Sequence, residues 1–456
     1  MRGGGTQPER HGHWRLRLVV SLSLLAAIFV AGLAIFAGLA ADRAPDGSSK
    51  AAAPPAADGT GMRDRGSAPV PLPAPIEQIK AQVAALRGLE WKRPLAVDVV
   101  SRAEMTRRLE QAHERGGERR PAVPDAALLR LLGLIPDDLD YDRALEQLSR
   151  AQVVGFYDPD EREIVVAESR GRMTPQTLMT VAHELNHALV DQHFGFGSRL
   201  EALGDEEKAE EQAALRALVE GDARLLEYAW ASRHLTEDEQ VVAILGGIFG
   251  DGEPAGDEVD ITLVPPFVRE ASRFPYDAGL DFVESLHGRG GWAAVNRAYE
   301  HPPRSTAEIL HPERYPAVID HPPTPTLDGG TGCRVERTGV LGEFDTRQLF
   351  EQGASPTVSP DVTVGWRGDR FAAVTCRSGL GMVLRWRSEG PDGTQRLARA
   401  LTTWAGAWSA SGGIGADGRF AGPRGAGRLL QAGDVVELVI SRDPVTARQL
   451  SAGLSG

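Results

Sequence analysis

The chain is 456 residues long, and 25% of its residues carry a charge. That length is enough for two domains of ordinary size. With 63 acidic residues against 50 basic ones, the formal net charge is −13. Nucleic-acid binding needs clustered Lys and Arg side chains, and the chain has no basic stripe interleaved with aromatic residues, so we expect no nucleic-acid partner. Nothing in the sequence indicates an oligomeric state.

The N-terminal segment predicts a membrane anchor. Residues 1–17 are rich in arginine, and residues 18–41 carry no charge. A bilayer-spanning helix needs about 20 apolar residues, whereas the apolar region of a cleavable signal is only about 7–15 residues long. We therefore expect a cytoplasmic tail over 1–17, a transmembrane helix or uncleaved signal anchor over 18–41, and an extracytoplasmic remainder. The small-x-small pattern at residues 38–40 keeps secretion as the alternative.

The segment after the anchor changes composition twice. Residues 42–75 are rich in Ala, Pro, Gly and Ser, which predicts a disordered linker. Helical periodicity then begins, and it gives way to two β-type runs at residues 153–157 and Glu163–Ala167. The Asp-Pro-Asp turn between these runs predicts a β-hairpin.

The run that follows the hairpin contains the sequence H-E-x-x-H inside an apolar, helix-forming stretch. His183 and His187 are four residues apart, so they project from one face of a helix and can share one Zn²⁺. Glu184 is offset toward the edge of that face, where its carboxylate can reach a water molecule on the metal. The motif predicts a hydrolytic zinc centre that still lacks a third protein ligand.

The best candidate for the third ligand is Glu220. It lies in the small, apolar middle of a helix predicted over residues 205–233. Gly221 beside it allows a neighbouring helix to approach closely. Burying a carboxylate is energetically costly unless it contacts a cation or a metal ion. A metal ion bound by the two histidines would supply that contact for Glu220. The other acids of this helix are expected on a solvated face: Glu210, Glu211, Asp222 and Glu227.

The H-E-x-x-H motif with a downstream helical glutamate resembles gluzincin-type zinc metallopeptidases. Residues 302–312, which read P-P-x-S-T-x-E-x-L-H-P, also resemble a string in predicted membrane-bound or secreted bacterial metallopeptidases. The resemblance implies one Zn²⁺ per chain on His183, His187 and Glu220, with Glu184 as general base and a peptide or protein as substrate. The chain departs from thermolysin-like enzymes by carrying Arg224 where those have an aspartate.

The resemblance also suggests supporting residues. Asp191 could hydrogen-bond a ligand imidazole, or be an ordinary surface acid. These enzymes take an oxyanion donor from a His or Tyr beyond the third ligand, which makes Tyr276, Tyr299 and His311 candidates, although each could equally be a packing residue. The predicted hairpin would lie along the cleft and pair its free edge with substrate, or be purely structural.

The last part of the chain, residues 321–456, is Gly-rich and β-leaning, and it predicts a small α+β accessory domain. It holds Cys333 and Cys376, the only cysteines. In an extracytoplasmic chain they most simply form a disulfide, and two separate buried thiols are the alternative.

Together these patterns predict an α+β protein. A mainly helical, zincin-like metallopeptidase domain over 76–320 would carry a small hairpin or sheet, between an N-terminal transmembrane helix and the accessory domain. The predicted function is that of an extracytoplasmic zinc peptidase. Two alternatives stay open: a catalytically inactive surface-binding or scaffold protein of the same fold, and a zinc hydrolase of a cell-wall amide.

Overall fold

The structure, a computed structural model, covers most of the chain beyond residue 73 and a short strand near the N-terminus. The described residues are 19–22, 74–101, 103–105, 107–108, 125–145, 153–167, 173–204, 208–249, 264–327, 332–353 and 358–453. The predicted tail over 1–17, nearly all of the predicted anchor over 18–41 and nearly all of the predicted linker over 42–75 lie outside these ranges.

The described residues form both helices and strands, with a run of six consecutive helices between the strands of the two sheets. The α-helices are α1 (Ala74–Arg87), α2 (Asp125–Leu132), α3 (Pro175–Phe194), α4 (Phe196–Ala202), α5 (Ala209–His234), α6 (Glu237–Phe249), α7 (Pro266–Glu300), α8 (Thr306–Leu310), α9 (Gly342–Gln352), α10 (Gly390–Ser409) and α11 (Pro444–Gly453), with 3-10 turns at Pro312–Arg314 and Pro360–Thr363. The strands are β1 (Val19–Leu22), β2 (Ala96–Val100), β3 (Val153–Asp158), β4 (Glu163–Ala167), β5 (Arg334–Gly339), β6 (Trp366–Cys376), β7 (Gly379–Ser388), β8 (Arg419–Gly422), β9 (Gly425–Ala432) and β10 (Val435–Ser441).

The first sheet has four strands in the order β1-β3-β4-β2. Strands β3 and β4 form the predicted antiparallel hairpin. On its outer sides β4 pairs in parallel with β2, and β3 pairs antiparallel with β1. Neither edge of the hairpin is therefore free, so the expected pairing of a substrate with the hairpin edge does not fit this arrangement.

The second sheet is antiparallel and has six strands in the order β5-β6-β7-β10-β9-β8. One face of it packs against α10 in a core that includes Trp386, Trp404 and Phe350. The disulfide between Cys333 and Cys376 joins the chain just before β5 to the end of β6.

The expected fold class is wrong: it was an α+β protein with a mainly helical, zincin-like domain that carries a small hairpin or sheet, followed by an α+β accessory domain. The chain is a mixed α/β protein in which two sheets, of four and six strands, share the structure with the helices. The sequence pattern did not predict the four-stranded sheet because β2 pairs with β4 across more than 60 residues. Local periodicity carries no information on such distant pairing.

The expected transmembrane helix lies outside the described residues, apart from residues 19–22. No helix among the residues that the structure describes is long and apolar enough to cross a bilayer. Residues 19–22, at the start of the predicted span, are extended and form β1. Two adjacent β-branched side chains, Val19 and Val20, favour that conformation.

Helix α3, which carries the H-E-x-x-H motif, has defined ends. The Thr174 side chain caps its start by accepting the N–H of Thr177 at 3.2 Å, and Pro175 occupies the first turn. Gly195 ends the helix with φ +63°, a left-handed conformation that favours glycine, and its N–H bonds to the Asp191 carbonyl. The helix packs between the first sheet, α1 and α5.

Helices α5 and α7 cross at nearly bare backbone. A Cβ atom on Gly221 of α5 would lie 2.1 Å from the Gly279 carbonyl oxygen, and one on Gly279 would lie 2.2 Å from the Ala217 carbonyl oxygen. No larger residue fits at either position without moving the helices apart. The close approach predicted at Gly221 is therefore present. It fixes the position of α5, and so of the neighbouring Glu220, relative to α7.

Candidate metal centre

The three predicted ligands come together between α3 and α5. His183, His187 and Glu220 are buried, with exposed fractions of 5%, 1% and 2%. One ligand atom from each lies within 4.8 Å of the others, and this is the one such group of three among the described residues. The group could therefore hold a metal ion.

A single carboxylate oxygen lies between the two imidazoles. Glu220 Oε2 is 3.3 Å from His183 Nε2 and 3.4 Å from His187 Nε2. The two rings are nearly perpendicular, at 86°, with their centroids 4.7 Å apart. His187 Nε2 is buried and has no hydrogen-bond partner. A buried nitrogen that lacks a hydrogen bond and faces a carboxylate is suited to a cation, since leaving it unbound is costly.

The charges of these groups stabilise one another. Burial alone disfavours the imidazolium form of His183, but hydrogen bonds to Glu220 and Glu227 outweigh it and raise its pKa to about 10. Burial likewise disfavours the Glu220 carboxylate, but the charge of His187 and the hydrogen bond with His183 lower its pKa to about 2. Because metal binding requires a neutral imidazole, a metal ion would have to displace a proton here.

Glu227 contacts the first of the candidate ligands, His183. Its Oε2 lies 3.1 Å from His183 Nδ1, the ring nitrogen that points away from Glu220, and the side chain is 16% exposed. A carboxylate behind a ligand imidazole fixes the tautomer and the ring orientation. We did not predict this role from the sequence, although Glu227 lies seven residues after Glu220, two turns along the same helix face.

The expectation of a solvated face for the other acids of α5 is wrong at two positions. Glu210 is 7% exposed and accepts the backbone N–H of Thr306 at 2.9 Å. Asp222 is fully buried and paired with Arg87. The helix is packed on several sides, by α3, α7 and α8, so it has less solvated surface than its composition suggests.

Glu184 is fully buried beside the ligands. It follows His183 directly in α3, and the charge of its carboxylate contributes to the raised pKa of His183. The predicted general base is thus shielded from solvent and close enough to His183 for its charge to act there.

Asp191 connects α3 to the first sheet. Its Oδ2 accepts the Tyr157 hydroxyl of β3 at 3.1 Å, and its Oδ1 accepts the Gly197 N–H of α4 at 2.8 Å. Burial raises the pKa of Asp191, against the opposing effect of these two hydrogen bonds. The position behind a ligand imidazole that we expected for Asp191 is held, for His183, by Glu227.

One of the three oxyanion-donor candidates lies beside the centre. The Tyr276 ring of α7 is 6.4 Å from the His183 ring, centroid to centroid. Next to Tyr276 is Arg224, whose guanidinium carbon lies 6.0 Å from the Tyr276 ring centroid and 5.2 Å from that of Tyr228. The Arg224 Nη2 donates to the Tyr228 hydroxyl at 2.5 Å.

The other two candidates have partners elsewhere. The Tyr299 hydroxyl donates to Asp222 Oδ2 at 2.9 Å, within the buried pair of Asp222 and Arg87. His311 Nε2 lies 2.8 Å from Oε1 of Glu343, a residue of α9. Both residues therefore tie elements of the fold together in this structure.

The described residues establish a buried group of two imidazoles and one carboxylate that could hold a metal ion. Comparisons with protein-family models, with curated proteins and with solved structures found no match for this chain.

Proposed function

We propose that the chain is a zinc-dependent peptidase. The observation that carries this proposal is the buried convergence of His183 Nε2, His187 Nε2 and Glu220 Oε2, with Glu184 beside them. The resemblance of H-E-x-x-H with a downstream helical glutamate to gluzincin-type metallopeptidases supports the same conclusion.

The donor set favours zinc. Catalytic zinc sites use three protein ligands drawn from His, Glu, Asp and Cys, and they keep the fourth position open. Two imidazoles and one carboxylate meet that requirement, whereas Mg²⁺ and Ca²⁺ prefer sites made only of oxygen ligands. The buried His187 Nε2, which has no hydrogen-bond partner, fits a ligand role. We expect one Zn²⁺ per chain.

The protein side chains transfer the proton and hold the metal ligands in position. A bound Zn²⁺ supplies Lewis acidity, which polarises a carbonyl group and lowers the pKa of water to about 7. Glu184 takes the proton of the attacking water and passes it to the leaving amine. Glu227 holds His183 in one orientation, and the Gly221 crossing holds Glu220 in place.

Metal content tests the ligand set. The full chain, loaded with zinc and then dialysed, should hold about one zinc ion, as should the control Glu211→Gln on the same helix. His187→Ala and Glu220→Gln should hold much less, because each removes one of three ligands. A wild-type chain that takes up no metal even when it is refolded with zinc would refute the proposal.

Activity tests the reaction. Glu184→Gln should keep its zinc but lose about 10²- to 10⁴-fold in the rate of hydrolysis of unfolded casein, because the proton acceptor is gone. Glu211→Gln should hydrolyse casein at the wild-type rate. A wild type that binds zinc but cleaves no protein would instead favour a binding protein or an amide hydrolase with non-peptide substrates. An unchanged rate in Glu184→Gln would contradict the role of Glu184.

A further inference from the structure

Arg224 is a buried cation next to the metal centre. It lies four residues after Glu220 on α5, a rise of about 6 Å along the helix. Residues four apart in a helix lie on the same face, so Arg224 and Glu220 share one face of α5. The residue is only 8% exposed, and its guanidinium lies near the ring of Tyr276, the tyrosine beside His183.

Arg224 has no acidic partner within ion-pair distance in the part of the chain that the structure describes. Its hydrogen bond goes to a neutral phenol, the Tyr228 hydroxyl, and its Nε is buried without a hydrogen-bond partner. Two acids contribute charge at Arg224, and both have closer partners. Glu227 contacts His183, and Asp277 pairs with Arg273 at 3.2 Å.

A permanently charged guanidinium is costly to bury without a counter-charge. An arginine used only to support the fold would be expected to have its acid in the fold, as Arg87 has in Asp222. The counter-charge of Arg224 is therefore expected from a ligand. Since the guanidinium is charged before any reaction begins, it favours an anion that the ligand already carries, and its planar fork matches a carboxylate.

The spacing limits where that carboxylate lies in a peptide. The Arg224 guanidinium carbon lies 6.0 Å from the Tyr276 ring centroid, which lies 6.4 Å from that of His183, so the guanidinium is at most about 12 Å from the His183 ring. The contact of an imidazole with a metal ion (about 2 Å) and that of a guanidinium with a carboxylate (about 3 Å) take up part of this distance. Because one extended residue spans at most about 3.3–3.6 Å, the remainder corresponds to one or two residues. We propose that Arg224, held by the Tyr228 hydroxyl, binds the free C-terminal carboxylate of a peptide whose scissile bond lies one or two residues away. This inference rests on the proposed function and narrows it to a peptidase that acts at the C-terminal end of its substrate.

Paired ligands test the inference without any need for turnover. The full chain is loaded with Co²⁺, and its visible absorption is followed during titration with N-(mercaptoacetyl)leucine or with the carboxamide of the same compound. Both compounds carry the thiol that binds the metal, and they differ only in the terminal charge. The wild type should bind the acid about 10- to 100-fold more tightly than the amide, as expected for hydrogen bonds to a charged group.

Three variants test whether Arg224 causes the preference for the acid over the amide. Arg224→Met should bind both compounds with the affinity that the wild type shows for the amide, and Arg224→Lys should keep part of the preference. Tyr228→Phe should reduce the preference, because the guanidinium keeps its charge but loses the hydroxyl that holds it. Arg233→Met, at an exposed position near the end of the same helix, is the matched control and should show the wild-type ratio.

The outcomes separate this inference from the proposed function. Equal binding of acid and amide by the wild type would overturn the role of Arg224 and leave the metal centre standing. The same holds for a wild-type ratio in Arg224→Met or, should that variant fail to fold, in both Arg224→Lys and Tyr228→Phe. A chain that takes up no cobalt, or whose spectrum neither thiol changes, would refute the proposed function and this inference with it.

Discussion

Two buried acids on α5, only two residues apart, have opposite surroundings. Asp222 accepts Arg87 Nε and Nη2 at 3.1 Å each and the Tyr299 hydroxyl at 2.9 Å, and the Trp292 ring lies 4.4 Å from the Arg87 guanidinium carbon. Glu220 instead faces two imidazole nitrogens at 3.3–3.4 Å, and one of these nitrogens has no hydrogen bond. The first carboxylate has its full set of partners inside the protein, whereas the second belongs to a group that a cation would complete.

The difference follows from the geometry of the helix. Residues two apart are rotated by about 200° around the helix axis, so the two carboxylates lie on opposite faces of α5. The Asp222 face meets α1 and α7 through Arg87 and Tyr299, and the Glu220 face meets α3. Gly221 between them allows α7 to approach closely enough to hold both arrangements. A buried acid is therefore a sign of function only when its partners leave a charge or a lone pair unmatched.

The largest effect is expected from breaking the Asp222 cluster. Asp222→Ala should lower the free energy of unfolding by about 3–5 kcal/mol, because it leaves Arg87 as an unpaired buried charge. Urea unfolding of the full chain measures this, with Glu211→Ala as the control on the same helix. The folded fraction should keep its zinc. Loss of zinc without loss of stability would place Asp222 in the metal centre and remove the contrast with Glu220.

A smaller effect is expected behind the first ligand. Glu227→Ala should lower zinc affinity about 10- to 100-fold, because it removes the acceptor that holds His183 Nδ1. Glu227→Gln keeps an acceptor oxygen and should lose less. Competition with a chelator measures both affinities, and neither variant should unfold as easily as Asp222→Ala. Wild-type zinc affinity in Glu227→Ala would show that His183 is held by its packing alone.

The sequence predicted the parts of the site that depend on local spacing. The interval between His183 and His187 sets one helix face, and the small residues around Gly221 indicate a close helix crossing. Glu220 could be chosen because a carboxylate in an apolar stretch needs a cation. The role of Glu227 was not predicted, because a charged residue on a helix is expected to face solvent unless the elements that pack against that face are known. The pairing of β2 with β4 was missed for a similar reason, since it joins residues that are far apart in the sequence.

Asp369 on β6 extends the comparison to a buried acid whose hydrogen bonds come from neutral donors. Its carboxylate accepts the N–H groups of Leu341 and Gly342 and the indole N–H of Trp366, at 2.7–3.0 Å. Burial still raises its pKa, to about 6 from 3.8, against the opposing effect of these hydrogen bonds. The neutral donors therefore do not compensate burial completely at Asp369.

The raised pKa of Asp369 gives a pH dependence with a definite sign. Between about pH 4 and 6 the folded chain binds this proton and the unfolded chain does not, so stability falls as the pH rises through that window. The contribution from Asp369 should be about 1 kcal/mol between pH 5 and 6. Asp369→Asn should show a flatter dependence in urea unfolding over this interval, whatever its absolute stability. An equal slope in the variant and the wild type would mean that Asp369 ionises as easily in the folded chain as in water, so that its three hydrogen bonds compensate burial completely.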